Sequence, residues 1–593
     1  MSDSNLEIIV GEGTCGIAAG SKEVFNIFKE QAPEALVRSV GCVGMCHQEV
    51  ITEIKTHDGQ SFMYGNVTKK NIHAILKYHR NQGDLPEDIL ISSPKEPTHD
   101  KKQYLVKQTR IALRNVGLIN PTVIEDYKQR DGYKAIRMLL EEKKTPEDVI
   151  EQIKIANIRG RGGAGFPAFM KWTFARKVQS DIKYLICNGD EGDPGAFMDR
   201  SLLEGDPHNV VEGMLIAAFA IGATHGYAYI RAEYPLAVKN FGKAIEDARQ
   251  EGLLGKNIFG SDFSFDIKIK QGAGAFVCGE ETALIASIEG QRGMPRLRPP
   301  FPAIKGLFAK PTIINNVETL SNIPWIINNG GEAYASYGTE KSKGTKVFAL
   351  AGTIKKGGLV EVPMGTKLRD VIYDIGGGSS SGRPIKAIQL GGPSGGCVPE
   401  KLFDTAIDYE EINATGAIMG SGGMIVMDSK SCMVDLAKFF LDFTQIESCG
   451  KCTFCRIGTL RMKELLAKIT EGRAVMEDLD LLTELADQIK TSSLCGLGQT
   501  APNPVATTLR YFREEYVAHI KDHRCPAGVC KELISHTIIE DKCTGCTLCD
   551  KVCPTVAITG EPKVAGSYVI DPEKCINCGM CVEVCKPDAI FVE

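Results

Sequence analysis

The sequence has no long hydrophobic run, no field of one charge and none of the residue patterns that announce hydrolysis or phosphoryl transfer. With 24% charged residues and a formal net charge of −5, nothing points to nucleic acid or an anionic membrane as a partner. The most apolar stretch, Met214 to Ala223, lies between Glu212 and His225 and falls well short of the ~20 residues a bilayer-spanning helix needs. It is expected to be a buried helix. The start, "MSDSNLEIIVGEGTCG", lacks the basic and then apolar pattern of a secretory signal, so a reducing, cytoplasmic setting without disulfides is expected. No general acid/base dyad, Ser/His/Asp arrangement or P-loop is present, which leaves hydrolases and kinases without support. What the chain has in excess is cysteine. There are 21, an odd number, and fourteen of them lie between Cys449 and Cys585 at short gaps, a grouping that reads as metal ligation. The isolated Cys187, Cys278 and Cys397 read as small buried thiols.

At 593 residues the chain must divide into several cores. Short apolar runs and helical patterns such as "SKEVFNIFKEQA" make a small α/β domain of 1–82, followed by a polar, proline-containing linker over 83–104. Residues 105–343 alternate helical segments, glycine-rich turns and apolar strands such as "KYLICN", the pattern of a layered α/β body. A β-rich segment spans 344–430, and helical periodicity over 431–520 ("DLAKFFLDFTQ", "DLDLLTELADQIK") gives a bundle. Residues 521–540 form a joint, and 541–593 carry a repeat, "CTGCTLCDKVCP" and "CINCGMCVEVCKP". The fold class expected is therefore multidomain α/β and α+β.

The repeat has the Cys-x2-Cys-x2-Cys-x3-Cys spacing of bacterial two-cluster ferredoxins, in which the fourth cysteine of each run crosses to the other cluster. Cys543, Cys546, Cys549 and Cys585 are expected to hold one [4Fe–4S] cluster, and Cys553, Cys575, Cys578 and Cys581 the other. The second run departs from Cys-Pro, reading Cys585-Lys586-Pro587, and paired zinc sites are the alternative. Upstream, "ESCGKCTFCR" supplies Cys449, Cys452 and Cys455, and "SSLCGLGQ" supplies Cys495, which together make a further four-thiolate set.

Three stretches of the body carry polar and glycine-rich patterns suited to a phosphorylated cofactor. "NIRGRGGAGFPAFMKW" lets backbone N–H groups approach a phosphate, although its glycines alone fit a flexible surface turn better. "CNGDEGDPGAFMDR" places acids directly after a strand, where they can meet ribityl or ribose hydroxyls, and "GAGAFVCGEETALIASIEG" runs from glycines into a helix. The last stretch fails the G-x-G-x-x-G fingerprint because Val277 stands at the final glycine. Taken in order with "PPFPA", "NNVET" and "ESCGKCTFCR", these stretches resemble the flavin-bearing NADH-oxidising subunit of respiratory complex I and its relatives over roughly residues 105–520. The resemblance implies FMN at Gly160, Arg161, Gly162, Lys171, Asn188, Asp190, Glu191, Gly279, Glu280, Glu281, Asn315 and Asn316. It also implies a nicotinamide cofactor near Phe166, Phe174, Asp193, Phe276, Arg298 and Phe301, and a [4Fe–4S] cluster at Cys449, Cys452, Cys455 and Cys495. The chemistry would be carried by FMN, with no catalytic side chain. Asp193 stands where the complex I subunit commonly has Glu, which leaves NAD(H) against NADP(H) open.

Cys15, Cys42 and Cys46 resemble the thioredoxin-like [2Fe–2S] domain of the small partner subunit of the same respiratory module, where four cysteines serve. Gly20 stands at the place of the missing one, with Ser21 or His47 as candidate ligands; a remnant domain without a cluster, kept for packing, is the alternative. A thioredoxin-like head, an FMN-binding body, a β-grasp-like domain, a bundle with a cluster and a ferredoxin-like tail together resemble the beta subunit of multimeric NAD(P)-linked [FeFe]-hydrogenases, including electron-bifurcating ones. The resemblance implies as partners a catalytic hydrogenase subunit, a small thioredoxin-like [2Fe–2S] subunit and ferredoxin. No H-cluster or molybdopterin motif lies in this chain, so the hydrogen chemistry, or the formate chemistry of a formate dehydrogenase, belongs to a partner. A non-catalytic electron-relay scaffold is the remaining reading. Three [4Fe–4S] clusters and one [2Fe–2S] cluster are thus expected.

"HRCPAGVC" leaves Cys525 and Cys530 without a neighbouring cysteine pair. With His519 upstream and Cys432 as a distant fourth ligand they suit structural zinc, with a [2Fe–2S] cluster or free thiols as alternatives.

Overall fold

A computed structural model of the chain describes residues 6–94 and 103–592. Two compact units emerge: Met1–Gly382 with Ile388–Val426, and Arg383–Ala387 with Met427–Glu593. Among the described residues no helix is long and apolar enough to cross a membrane.

The first unit opens with strands β1 (Glu7–Gly11), β2 (Leu36–Val40), β3 (Thr52–Lys55), β4 (Ser61–Tyr64) and β5 (Leu90–Ser92) in the order β2-β1-β3-β4-β5. Strands β1 and β2 run parallel and the remaining pairs antiparallel. The helices Ser21–Gln31 and Ile72–His79 lay Val24, Phe28, Ile75 and Leu76 onto this sheet, as their spacing dictates. Strand β5 falls inside the stretch expected to be linker. The apolar run Ile89–Ile91 is buried, and burying it against β4 extends the head beyond residue 82. The rest of the expected linker, 95–102, lies outside the described residues.

The body is built on β6 (Tyr184–Gly189), β7 (His225–Arg231), β8 (Asp266–Gly272) and β9 (Thr312–Asn316), all parallel, in the order β8-β7-β6-β9. The near-continuous apolar sequence of β6 fits a strand covered on both faces. The expected buried helix is Pro207–Ile221, and only Phe219 within it is not fully buried. It tolerates Glu212 because the carboxylate accepts the Tyr127 hydroxyl at 2.5 Å and the backbone N–H groups of Tyr133 and Ala135 at 2.8 and 3.1 Å. The β-rich segment forms a mixed sheet of β10 (Thr345–Gly352), β11 (Gly358–Pro363), β12 (Ile385–Leu390), β13 (Gly396–Pro399) and β14 (Gly423–Asp428), in the order β11-β10-β14-β12-β13.

The second unit is mainly helical. Met433–Ile446, Thr459–Thr470, Glu477–Ser492, Asn503–Tyr511 and Arg513–Lys521 pack around Leu441, Leu466, Leu482, Val505 and Tyr516. The cysteine-rich end folds as two antiparallel strand pairs, β15 (His536–Ile538) with β18 (Ile590–Val592) and β16 (Ile558–Thr559) with β17 (Val569–Ile570), and two short helices, Leu548–Val552 and Met580–Val584.

Candidate functional site

The chain leaves β6 for β7 and β8 on one side and returns to β9 on the other, so the strand order reverses between β6 and β9. In open parallel sheets the crevice beyond the carboxyl ends at such a reversal is where ligands bind. Register pairs Asn188 with Asn316 at those ends. The Asn188 side chain donates to the Gly279 carbonyl at 3.0 Å and accepts from the Asp190 N–H at 3.0 Å. Asn316 caps the helix Val317–Asn329, accepting from Glu318 N–H at 2.9 Å, and donates to Asp199 at 2.6 Å. Asn315 accepts the Trp172 indole N–H at 2.9 Å. Glu280 caps the helix Glu281–Ile288 through the Thr282 and Ala283 N–H groups, both at 2.9 Å.

The glycine loop reaches the same place. A Cβ on Gly162 would stand 3.0 Å from that of Asn316, so the loop crosses close against the end of β9. Gly165 has φ +62° and lies against the Tyr409 ring, whose hydroxyl donates to the Gly160 carbonyl at 2.8 Å. Four sequence-distant segments, around Gly160–Gly165, Asn188–Asp190, Gly279–Glu281 and Asn315–Asn316, therefore meet at one crevice. Glycine backbone, amide side chains and helix caps make a floor that fits a polar, phosphorylated cofactor. Lys171 supplies a cation beside it, 3.3 Å from Glu281, which also binds Arg298 at 2.7 Å. Phe166, Phe174 and Phe301 are 41%, 48% and 52% exposed, so they are rim residues and not core. Arg298 lies 5.8 Å from the Phe301 ring centre, and Phe276 packs at Gly192.

Three expected contacts differ. The Arg161 side chain is fully buried and its guanidinium donates to the carbonyls of Arg159, Lys343 and Thr345. Its donors are spent on holding the loop. The Glu191 carboxylate accepts from Asp199 and Arg200 N–H at 3.2 and 3.1 Å, anchoring the helix Met198–Gly205 instead of facing the crevice. Asp193 turns to the Ser421 hydroxyl at 2.8 Å and abuts Gly392; burial pushes its carboxyl up to about 6.

In the second unit the Leu494 N–H donates to the Cys452 sulfur at 3.3 Å, which brings the Cys495 segment to the Cys449–Cys455 turn. The tail contains two hollows. One is lined by Cys543, Cys546, Cys549 and Cys585, the other by Cys553, Cys575, Cys578 and Cys581, the crossed sets that the spacing predicts. Backbone N–H groups of Ala557 and Ala589 point at the Cys553 and Cys585 sulfurs at 3.2 Å.

Residues 153–325 match the family described as Nuo51 FMN-binding domain, 435–519 the NADH-ubiquinone oxidoreductase-F iron-sulfur binding region, and 542–589 the 4Fe-4S dicluster domain. An F-type NADH-quinone oxidoreductase chain of Rhizobium meliloti is 44% identical over 416 residues, which are 70% of this chain and 99% of that relative. The chain belongs to the NADH-quinone oxidoreductase-F family. The NADP-reducing hydrogenase subunit HndC of Solidesulfovibrio fructosivorans is 58% identical over 457 residues, 77% of this chain and 93% of that one. A crystal structure of an NAD+-reducing [NiFe]-hydrogenase in the H2-reduced state superposes with a TM-score of 0.62 at 29% identity, covering 87% of this chain and 84% of the other. This member of the oxidoreductase-F family is thus an NAD(P)H-dependent oxidoreductase subunit, with an FMN-binding domain and [4Fe–4S] regions.

Two further thiol groups lie in this oxidoreductase-F homologue. Cys432, His519, Cys525 and Cys530 are all buried, with ligand atoms within 4.8 Å of one another. His519 Nε2 lies 3.4 Å from the Cys432 sulfur and 3.3 Å from that of Cys530, and the two sulfurs are 3.7 Å apart. A tetrahedron with metal–sulfur arms of about 2.3 Å has edges of about 3.8 Å. The spacings among Cys432, His519 and Cys530 match three corners of such a tetrahedron, and Cys525 lies within reach of the fourth. His519 Nδ1–H donates to the Glu515 carbonyl at 2.7 Å, which leaves Nε2 to face the thiols. Asn577, in the tail, donates to the carbonyls of Lys531 and Ile534 at 2.9 Å, tying the segment after Cys530 to the tail.

In the head, the Cys46 thiol hydrogen-bonds with the thiols of Cys15 and Cys42. The bond from Cys46 pulls the Cys15 thiol down to about 6, with burial opposing and Arg200 assisting. Arg200 reaches the Cys15 sulfur at 3.8 Å, and Thr14 donates to Glu204 through its hydroxyl at 2.5 Å and its N–H at 3.0 Å. The head site is thereby docked on the helix that Glu191 anchors. Glu204 and Tyr409 lie outside every motif, and Asp199 and Arg200, at the end of "CNGDEGDPGAFMDR", had no role assigned from sequence, because these roles come from tertiary contacts.

Proposed function

We propose that the chain takes electrons from NAD(P)H at the β6/β9 crevice and delivers them singly through thiolate-bound clusters to ferredoxin and to a catalytic hydrogenase subunit, in an electron-bifurcating assembly that includes a small [2Fe–2S] subunit. The carrying observation is the meeting of four motif segments at the strand-order reversal. Bound FMN supplies the conversion between a two-electron hydride and single electrons. The chain's part is positioning. Lys171 holds the phosphate charge, Asn188, Asn316 and the Gly160–Gly162 backbone orient the cofactor, and the exposed rings of Phe166, Phe174 and Phe301 receive the nicotinamide nucleotide. The hydrogenase partner is supported by the likeness to HndC and to the NAD+-reducing hydrogenase.

Three [4Fe–4S] clusters are assigned to Cys449/Cys452/Cys455/Cys495, Cys543/Cys546/Cys549/Cys585 and Cys553/Cys575/Cys578/Cys581, and an iron–sulfur cluster of the [2Fe–2S] type to the head. One zinc ion is assigned to Cys432, His519, Cys525 and Cys530, where it clamps the bundle to the start of the tail. Removing Lys171 tests the flavin site. A hydrogen bond to a charged group is worth about 1.5–3 kcal/mol, so Lys171→Ala is expected to weaken FMN binding by roughly 10- to 150-fold, read by flavin fluorescence on dilution. Unchanged affinity contradicts the placement.

A further inference from the structure

Cys432 joins the four-donor site from 87 residues away from His519. It caps the N-terminus of the helix Met433–Ile446, where its sulfur accepts the Asp435 N–H at 3.5 Å. Its backbone is held by two side chains from other parts of the second unit. Lys386 donates to the carbonyl of Ser431, the residue before Cys432, at 2.7 Å. Glu515 Oε2 accepts the N–H of Met433, the residue after it, at 3.1 Å. The two side chains also meet each other: Lys386 Nζ lies 2.5 Å from Glu515 Oε1, with 18% and 7% of the respective side chains exposed. Cys432 is thus gripped on both sides by the arms of one largely buried ion pair.

The same pair reaches the rest of the site. Glu515 lies one turn before His519 on the helix Arg513–Lys521, and its carbonyl accepts the His519 Nδ1–H at 2.7 Å. One residue therefore aims the imidazole through its main chain and holds the Cys432 backbone through its side chain. Lys386 belongs to the short segment Arg383–Ala387, which is bound to the turn before Cys432 at two more places. Arg383 pairs with Asp428 at 3.4 Å, and the Ser429 N–H donates to the Pro384 carbonyl at 3.0 Å. Outer contacts of this kind orient the ligands of a metal site and raise its affinity.

We infer that Lys386 and Glu515 are positioning residues of the four-donor site, a clamp that places the Cys432 thiol on the metal held by His519, Cys525 and Cys530. This rests on the reading above that the site binds zinc. The clamp adds no ligand atom. It fixes residues 431–433 where the Cys432 sulfur stands 3.4 Å from His519 Nε2 and 3.7 Å from the Cys530 sulfur. Without it the backbone on either side of Cys432 is released, and that thiol is the donor the metal loses first.

The test uses the full chain with its clusters assembled. Zinc and iron are measured by elemental analysis after dialysis against graded EDTA, and the zinc shell is read by X-ray absorption at the zinc edge. The parent is expected to show three sulfurs and one nitrogen around zinc. Lys386→Met and Glu515→Gln are each expected to lower zinc affinity by about 10- to 100-fold and to bring the sulfur count below three. In a Cys432→Ser background the same changes are expected to add no further loss, because the thiol through which the clamp acts is gone. Unchanged affinity with three sulfurs in both single variants at full iron loading overturns the clamp. So does a loss as large in the Cys432→Ser background as in the parent, which marks a general structural role. Should Lys386→Met fail to load iron, Glu515→Gln, which keeps the size of the side chain, decides alone. A parent chain fully loaded with iron but holding no zinc instead overturns the underlying reading of the metal site.

Discussion

Replacing Cys525 by Ser probes the four-donor site without changing its volume much. Three of its donors already stand at tetrahedral spacing, with edges of 3.3, 3.4 and 3.7 Å among Cys432, His519 and Cys530, and Cys525 lies within 4.8 Å of them. A preorganised set of this kind links metal binding to folding, because the donors are assembled only in the folded chain. Losing a ligand must cost more than losing a supporting hydrogen bond, which alone lowers metal affinity by about 10- to 100-fold. That sets a floor of about 1.4–2.7 kcal/mol. For a unit of this size each kcal/mol moves the melting temperature by about 2–4 °C, so the unit is expected to melt at least about 3–11 °C lower. Elemental analysis together with differential scanning calorimetry makes the measurement. The parent should hold one zinc per chain, and Cys525→Ser should lose it with no loss of iron. Zinc retained in the variant, iron found in place of zinc, or an unchanged melting profile refutes the reasoning.

Lys346 and Glu318 form an ion pair at 2.5 Å, with both side chains essentially without solvent contact. Lys346→Met should destabilise the first unit by about 3–5 kcal/mol in denaturant unfolding, because it leaves a buried carboxylate uncompensated; a change below 1 kcal/mol, ~fivefold in the unfolding equilibrium, would show the pair to be dispensable. Burial pushes the Asp193 carboxyl from an ordinary 3.8 up to about 6, so the fold disfavours its charged form. Below the unfolded value both states hold the proton and the group contributes nothing. As pH rises from about 4 to about 6 the unfolded chain ionises first and the penalty grows, then levels off. Asp193→Asn should therefore match the parent in stability at low pH and exceed it increasingly up to about pH 6, as thermal melts across pH can check.

Much of this was legible because ligand chemistry constrains spacing. The crossed sets of Cys585 and Cys553 follow from the repeat alone, and the same holds for the Cys449–Cys455 turn, whose fourth member Cys495 is brought in by a helical excursion. Cys432 could be proposed only by elimination, since 87 residues separate it from His519 and only packing of the bundle joins them. Arg161 and Glu191 illustrate the opposite case. A charge inside a cofactor motif looks like a ligand contact, yet each is buried and consumed by backbone groups, and sequence does not show which way a side chain points. Strand β5 was hidden because its three residues sit between polar stretches.

In the proposed function electrons enter through the crevice at β6 and β9 and reach the clusters only from there. Anaerobic addition of NADH, and separately NADPH, to the cluster-loaded chain with and without FMN, followed by visible and EPR spectroscopy, tests it directly. The account predicts cluster reduction by at least one of the two nucleotides when FMN is bound, and none in the flavin-free protein. Equal cluster reduction with and without FMN, or no reduction by either nucleotide at full flavin and iron loading, would contradict it.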